Sequence, residues 1–237
     1  MTNTDVSIAK LNWRNIKVAY LVAGICAGAM ALQLIVAGIL LAYGINIIGD
    51  DNFSISLAWY TWLVVAIAAI VIPLGNFPRI INLGATRRDF FWGSALTYAV
   101  LAGAASAVVT VFTYAVDHPL TRWGSLGSFG TAPDVFGWVS NGPVVAFFQQ
   151  WAFLLVLAGF VHTLVAAQNK WYGWLADVVI IAIISVFTPI APLRHGEAWF
   201  FNLILFHPSP WLQIGSCLVL AAAFYALSWP ILARRAV

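Results

Sequence analysis

The sequence predicts an all-α protein that spans a membrane several times, and three observations carry this prediction. Hydrophobic residues make up 62% of the 237 residues and charged residues only 8%, whereas a soluble domain carries roughly 25% charged residues. The apolar residues fall in long runs, and the basic residues fall in the short segments between them. A helix satisfies its own backbone inside hydrocarbon. We therefore predict one helical membrane domain over residues 1–237, with no separate soluble domain.

Six apolar segments predict six transmembrane helices. A span needs about 20 apolar residues, because a helix rises about 1.5 Å per residue through about 30 Å of hydrocarbon. The fifth segment is the shortest and contains Pro189 and Pro192, which predict a kinked or unwound outer end. The predicted spans are residues 18–43, 57–75, 91–116, 144–167, 175–193 and 211–233.

The basic residues predict the orientation. If the N-terminus is cytoplasmic, all of the 11 basic residues except Arg122 and Arg194 lie on the cytoplasmic side, as the positive-inside rule requires. We therefore expect a multi-pass protein of the plasma membrane with both termini in the cytoplasm. The same pattern explains the net charge of +3 without nucleic acid as a partner. The predicted cytoplasmic basic residues are Lys10, Arg14, Lys17, Arg79, Arg87, Arg88, Lys170, Arg234 and Arg235.

Nine of the 12 tryptophans lie near predicted span ends, where indole rings favour the membrane interface. We interpret them as an aromatic belt rather than as a binding cage. They are Trp59, Trp62, Trp92, Trp138, Trp151, Trp171, Trp174, Trp211 and Trp229.

Residues 7–17 predict a helix before the first span. Three basic residues share one face of it, and Ile8 and Ile16 lie away from that face. Such a helix is typical of the inner membrane surface, with its cations at lipid phosphates. A plain basic flank that orients the first span explains the pattern equally well. The basic residues are Lys10, Arg14 and Lys17.

The segment after the second predicted span carries the clearest local signals. Gly84 predicts the end of a short helix. Thr86 and Asp89 match a capping box that opens the third span. Arg87 and Arg88 lie in that first turn, where the helix dipole disfavours cations. We therefore expect the inner leaflet or an acidic partner surface to stabilise them.

The string from Leu83 to Gly93 (LGATRRDFFWG) resembles the G-x-[ST]-R-[RK]-x-[FY]-[FL]-x-G stretch of bacterial type 2 ABC exporter permeases. The plan of a basic N-terminal segment and six spans is also similar to theirs. The resemblance implies that residues 79–89 include or adjoin a coupling helix that docks on a separate ATPase subunit. The residues it assigns to this coupling loop are Arg79, Thr86, Arg87, Arg88 and Asp89, with the two adjacent arginines as partners for acidic groups.

Two further segments lie on the predicted outer side. Residues 196–206 are too few to span the bilayer, and they are similar to the re-entrant helix that this family often has before its last span. An ordinary interfacial helix is the alternative. Residues 117–143 predict either an ordered cap or a flexible linker.

The chain lacks the motifs of an enzyme. It has no Walker A pattern, and no Gly-Lys dipeptide occurs, so ATP hydrolysis would belong to a partner subunit. No H-E-x-x-H motif or paired cysteines occur, so we expect no metal and no cofactor. A disulfide between Cys26 and Cys217 is not expected, because both lie inside apolar runs.

Polar residues inside the predicted spans are few. Gln33, His162 and Asp177 are the candidates for an ion or proton pathway. The preferred interpretations are that His162 and Asp177 each snorkel or pair with a local partner and that Gln33 forms a helix–helix hydrogen bond. Gly24 and Gly28 offer a surface for close helix contact, within the chain or with a second copy.

The sequence therefore favours the membrane subunit of an ATP-driven exporter. It would work with an ABC ATPase and a second permease chain, identical or related, and would move an amphipathic or hydrophobic substrate. The alternatives are an ion- or proton-coupled transporter and a membrane protein that does not transport, such as an immunity or assembly factor.

Overall fold

A computed structural model describes residues 3–43, 57–117, 131–168, 170–187 and 190–234. All regular elements in these ranges are helical, so the predicted all-α class is confirmed. Three π-helical turns, Ile72–Asn76, Thr113–Asp117 and Asn202–Phe206, and one 3-10 turn, Trp138–Asn141, connect or extend the α-helices. The α-helices are α1 (Asn3–Asn15), α2 (Lys17–Ala42), α3 (Leu57–Val71), α4 (Phe77–Asn82), α5 (Arg87–Phe112), α6 (Ala132–Val135), α7 (Pro143–Ala167), α8 (Trp171–Phe187), α9 (Ala191–Phe201) and α10 (Pro210–Ala233).

Within the described ranges, four helical segments are long and apolar enough to cross a membrane, which makes the chain a multi-pass membrane protein. They correspond to the second, third, fourth and sixth predicted spans. The first and fifth predicted spans fall on α2 and α8, whose described apolar stretches are shorter, so these two spans stay predictions. The four segments are Trp59–Asn82, Arg87–Asp117, Pro143–Ala167 and Pro210–Ala233.

Two helices have limits that differ from those of the predicted spans. The helix of the second predicted span continues beyond residue 75 to Asn82, because the π-helical turn Ile72–Asn76 joins α3 to α4. Pro73 has no N–H with which to donate the hydrogen bond of a regular α-helix, and the π-helical turn accommodates it. Pro192, near the end of the fifth predicted span, lies in the first turn of α9. Proline is tolerated there because the first N–H groups of a helix have no partner inside it.

The centre of the bundle is α7, which packs most extensively against α10 and also contacts α3 and α5. Small residues of α5 allow α7 to pack closely against it. The Trp151 indole of α7 donates to the Ala99 carbonyl of α5 at 3.0 Å and lies beside Gly103. The helices α2 and α8 lie at the edges, α2 against α3, and α8 against α7 and α9.

Part of the predicted cap, residues 131–142, is ordered over one end of the bundle. Trp138 is buried there and donates from Nε1 to the Leu205 carbonyl at 2.9 Å. Phe136 stacks on Trp62 with ring centroids 5.9 Å apart. The interpretation of Trp138 as a belt residue was therefore wrong, and residues 118–130 lie outside the described part. Exposed rings that fit a belt are Trp59, Trp92, Trp171, Trp174, Trp211 and Trp229.

The contact between α7 and α10 yields the first prediction. A Cβ at Gly159 would lie 3.0 Å from the Ala221 carbonyl oxygen, so Gly159→Ala should force the two helices apart. We expect it to lower the free energy of unfolding in detergent by about 1–3 kcal/mol, measured by thermal or denaturant unfolding. Gly215→Ala in α10 is the control, since no atom lies within 4 Å of its added Cβ. Equal stability of the two variants would contradict this packing.

Candidate functional site at the basic end of the bundle

One end of the bundle, which we call the basic end, gathers the end of α4, the start of α5 and the ends of α7 and α10. Arg87 at the start of α5 donates to the Ala233 carbonyl at the end of α10. Asn76 Nδ2, just before α4, donates to Asn12 Oδ1 of α1 at 3.0 Å. The exposed basic residues of this end are Lys10, Arg14, Lys17, Arg79, Arg88, Lys170 and Arg234.

The short helix α4 has one buried and one exposed face. Phe77 and Ile80 are buried, and the Phe77 ring contacts Phe90 of α5 edge to face at 5.0 Å. Arg79 is exposed, and Leu83 just after the helix is 76% exposed. The core therefore fixes α4 in place while its other face presents a cation and an apolar side chain.

The turn between α4 and α5 follows the predicted local pattern. Gly84 adopts φ of +89°, a left-handed conformation that ends α4 and that glycine adopts without steric cost. The Asp89 amide donates to Thr86 Oγ1 at 3.1 Å, and the Thr86 amide donates to Asp89 Oδ2 at 3.2 Å. The predicted capping box is confirmed. It makes the turn a defined corner rather than a flexible loop.

The two adjacent arginines have different environments. Arg87 is half-buried and its guanidinium caps the C-terminus of α10, where backbone carbonyls and the negative end of the helix dipole favour a cation. This contact explains why a cation is accepted in the first turn of α5. Arg88 is exposed. Neighbouring residues in the chain do not distinguish the two side chains.

Helix α1 packs along α5 rather than standing alone. Its buried face consists of Asp5, Ile8 and Asn12, followed by Ile16 between α1 and α2. Ile8 lies so close to Gly93 of α5 that a Cβ there would be 2.6 Å from Ile8 Cγ2. The predicted polarity of the helix is confirmed, because its basic residues are exposed. Its contact with α5 was not anticipated.

A polar cluster lies within the bundle toward the basic end and joins α5, α7 and α10. His162 is fully buried, and its Nδ1 lies 2.7 Å from Tyr98 Oη. Tyr225 Oη donates to the Phe91 carbonyl at 2.7 Å and lies 2.6 Å from Ser94 Oγ. Among the described residues, His162 Nε2 has no hydrogen-bond partner. Tyrosines inside apolar spans were the missed signal, because a buried phenol requires a partner.

The other predicted polar residues do not join this cluster. Asp177 is half-buried and accepts a hydrogen bond from Gln168 Nε2 at 2.7 Å, which is a local pairing of the kind expected. The side chain of Gln33 lies outside the described part of the chain. His162 and Asp177 therefore hydrogen-bond to different partners.

In the described ranges, no group of three or more His, Cys, Asp or Glu side chains could hold a metal ion. Cys26 and Cys217 are free and buried.

No known family, curated protein or solved structure matches this chain.

The contact between α1 and α5 yields the second prediction. Gly93→Ala should displace α1, because the new methyl group would overlap Ile8. We expect trypsin to cleave α1 after Lys10 and Arg14 several-fold faster in this variant, since a protease needs a locally opened segment. Gly75→Ala is the control, because no atom lies within 4 Å of its added Cβ. Equal cleavage rates in the two variants would contradict the packing of α1 on α5.

Proposed function

We propose that this chain is the membrane-spanning subunit of an ATP-driven exporter and that the exposed face of the α4–α5 corner docks on a separate ATPase subunit. The observation that supports this proposal is the division of the corner into two faces. Phe77, Ile80 and Phe90 hold it in the core, and Arg79 and Arg88 are exposed. A partner can bind such a corner and move it without unfolding it.

The chemistry of the exposed face indicates the kind of partner. Two guanidinium groups, those of Arg79 and Arg88, suit carboxylates on an opposing surface. Leu83 between them is 76% exposed and suits an apolar pocket. An acidic surface with a central apolar pocket is therefore the complementary partner surface. This chain has no Walker A motif, so the partner would hydrolyse the ATP.

The corner also has the mechanical connections that such a function needs. Helix α5 continues through the π-helical turn to Asp117, so a push at Arg88 is applied to one continuous helix. Arg87 ties the same corner to the end of α10, and Gly93 ties it to α1. A rigid-body shift of the corner would thus move three helices together. A second permease chain would complete a pathway for an amphipathic or hydrophobic substrate.

The proposal includes a topology of six spans with both termini in the cytoplasm. The basic end then faces the cytoplasm, as the positive-inside rule requires, and the cations of α1 lie at the lipid phosphates. The helix α9 would be a re-entrant element of the outer leaflet. Two observations support its place there: Trp199 and Phe201 are exposed to the surroundings, whereas Ile204 and Leu205 just beyond α9 are buried against the bundle.

This topology yields the third prediction. Tags at the two termini should be reached from the cytoplasmic side alone. With Cys26 and Cys217 replaced by alanine, a membrane-impermeant maleimide should label Ser140→Cys in intact cells and Asn82→Cys only after permeabilisation, since both positions are exposed at opposite ends of the bundle. Termini on opposite sides of the bilayer would exclude six spans.

The docking surface yields the fourth prediction. Arg88→Glu should weaken binding of the ATPase by about tenfold or more, because it places a like charge against the acidic surface. The substitution should leave α5 intact, since an acidic residue in a first helical turn is favoured by the dipole. The measurement is the amount of a Walker-type ATPase that co-purifies from native membranes, followed by titration of the purified subunits.

Lys170→Glu is the matched control, because Lys170 is exposed at the same end but lies outside the corner. Equal losses of ATPase binding in the two variants would show that net charge alone explains the effect and would contradict the docking surface.

A coupled transporter is the competing function, favoured by the buried His162 with its unpartnered Nε2 among the described residues. Gradient-driven transport that is lost in His162→Gln, with no ATPase recovered, would replace the exporter by that function.

A further inference from the structure

A second group of buried polar side chains lies in the half of the bundle away from the basic end. Trp62 Nε1, Ser106 Oγ, Thr110 Oγ1 and both polar atoms of Gln150 are buried and have no hydrogen-bond partner among the described residues. The side chains of Ser106 and Gln150 are fully buried, and Thr110 is 7% exposed. They belong to α3, α5 and α7.

Contacts between the helices place these residues at a similar depth. Helices α5 and α7 run in opposite directions, and the Trp151 ring lies beside Gly103, where an added Cβ would be 3.6 Å from Trp151 Nε1. Gln150 is the next residue toward the far end on α7, and Ser106 lies three residues, about 4.5 Å along the helix axis, beyond Gly103 on α5. Thr110 follows one turn later.

The third helix closes the group. The Trp62 ring of α3 packs on Phe153 with centroids 5.2 Å apart, and Phe153 is three residues from Gln150 on α7. Long helical side chains lean toward the N-terminus of their helix, so Phe153 and Gln150 both lean toward the far end. The indole N–H therefore lies within about one turn of the amide.

Unpaired polar atoms in such a place require an explanation. About 90% or more of buried polar groups in proteins have a hydrogen-bond partner, either protein or ordered water. A buried donor or acceptor without one keeps the full cost of leaving water. Both the donor and the acceptor of the Gln150 amide lack a hydrogen-bond partner. Together with Trp62, Ser106 and Thr110, they form the largest group of unpaired buried polar atoms in the described part of the chain.

We propose that Trp62, Ser106, Thr110 and Gln150 enclose an internal water site between α3, α5 and α7. The indole and the amide nitrogen donate, the amide oxygen accepts, and the two hydroxyls do either. A buried water forms about three hydrogen bonds, which this set supplies. None of the four side chains carries a charge, so the site suits a neutral molecule that both donates and accepts. This inference does not depend on the proposed transport function.

The experiment is radiolytic hydroxyl-radical footprinting of the full chain in lipid nanodiscs, read by mass spectrometry. Radicals formed from bound water oxidise the side chains that touch it. The chain offers three tryptophans for comparison: Trp62 at the site, Trp59 exposed at the helix surface, and Trp138 buried with its Nε1 bonded to the Leu205 carbonyl. We expect Trp62 to be oxidised several-fold faster than Trp138.

Gln150→Leu removes the central donor and acceptor with little change of shape. We expect this variant to reduce oxidation of Trp62 several-fold toward the rate of Trp138 and to leave Trp59 unchanged, which separates bound water from bulk solvent. Thr110→Val is the milder variant if Gln150→Leu does not fold, and it should act in the same direction. Oxidation of Trp62 at the rate of Trp138, or a rate that neither variant changes, would overturn the proposal. A higher melting temperature of Gln150→Leu together with unchanged oxidation would show a dry cluster.

Discussion

The close contact between α7 and α10 is the interaction on which the rest of the arrangement depends. Lipid tails are as apolar as the side chains that face them, so helices in a bilayer associate through packing and hydrogen bonds rather than through the hydrophobic effect. Gly159 lets the two backbones approach, and Thr163 Oγ1 donates to the Phe224 carbonyl at 2.6 Å. Gln149 Nε2 donates to Gln213 Oε1 at 2.5 Å farther along the same interface. These contacts set the depth and rotation of α10, which then positions features at both ends of the bundle.

At the basic end, the placement of α10 decides which charges belong to the fold and which face outward. The C-terminal carbonyls of α10 arrive beside the first turn of α5 and bind Arg87, so this arginine serves the fold. Tyr225, one to two turns earlier on α10, hydrogen-bonds to the Phe91 carbonyl and to Ser94. The corner is thereby held from the core side, and Arg88 is left as an exposed cation. The proposed docking surface therefore rests on these intramolecular contacts rather than on the number of basic residues.

At the far end, the same helix supports a closed structure. Gln213 Nε2 donates to the Ile204 carbonyl at 2.9 Å, which satisfies one of the carbonyls exposed by the π-helical turn before α10. Trp138 binds the neighbouring carbonyl of Leu205 and brings the cap over the bundle. The two ends of the bundle therefore differ. The basic end presents charged side chains on the rigid α4–α5 corner, and the far end buries amide and indole groups under the cap. An internal water site just below that cap is consistent with this enclosure, because trapped polar groups there have no access to solvent.

The sequence by itself determined the features that depend on neighbours along the chain. Runs of apolar residues locate the four long apolar helices of the described ranges. The all-α class follows from the need to satisfy backbone groups in lipid, and the capping box joins Thr86 to Asp89, three positions along the chain. The tertiary structure alone decided the features that join distant residues. Arg87 and Ala233 are 146 residues apart, and Asn12 and Asn76 are 64 residues apart. The burial of Trp138 and the close approach of α7 and α10 at Gly159 also depend on residues far apart in the chain. Periodicity shows which face of a helix is apolar, but in a bundle surrounded by lipid an apolar face fits lipid and protein equally well, so only the packed helices show which side chains meet.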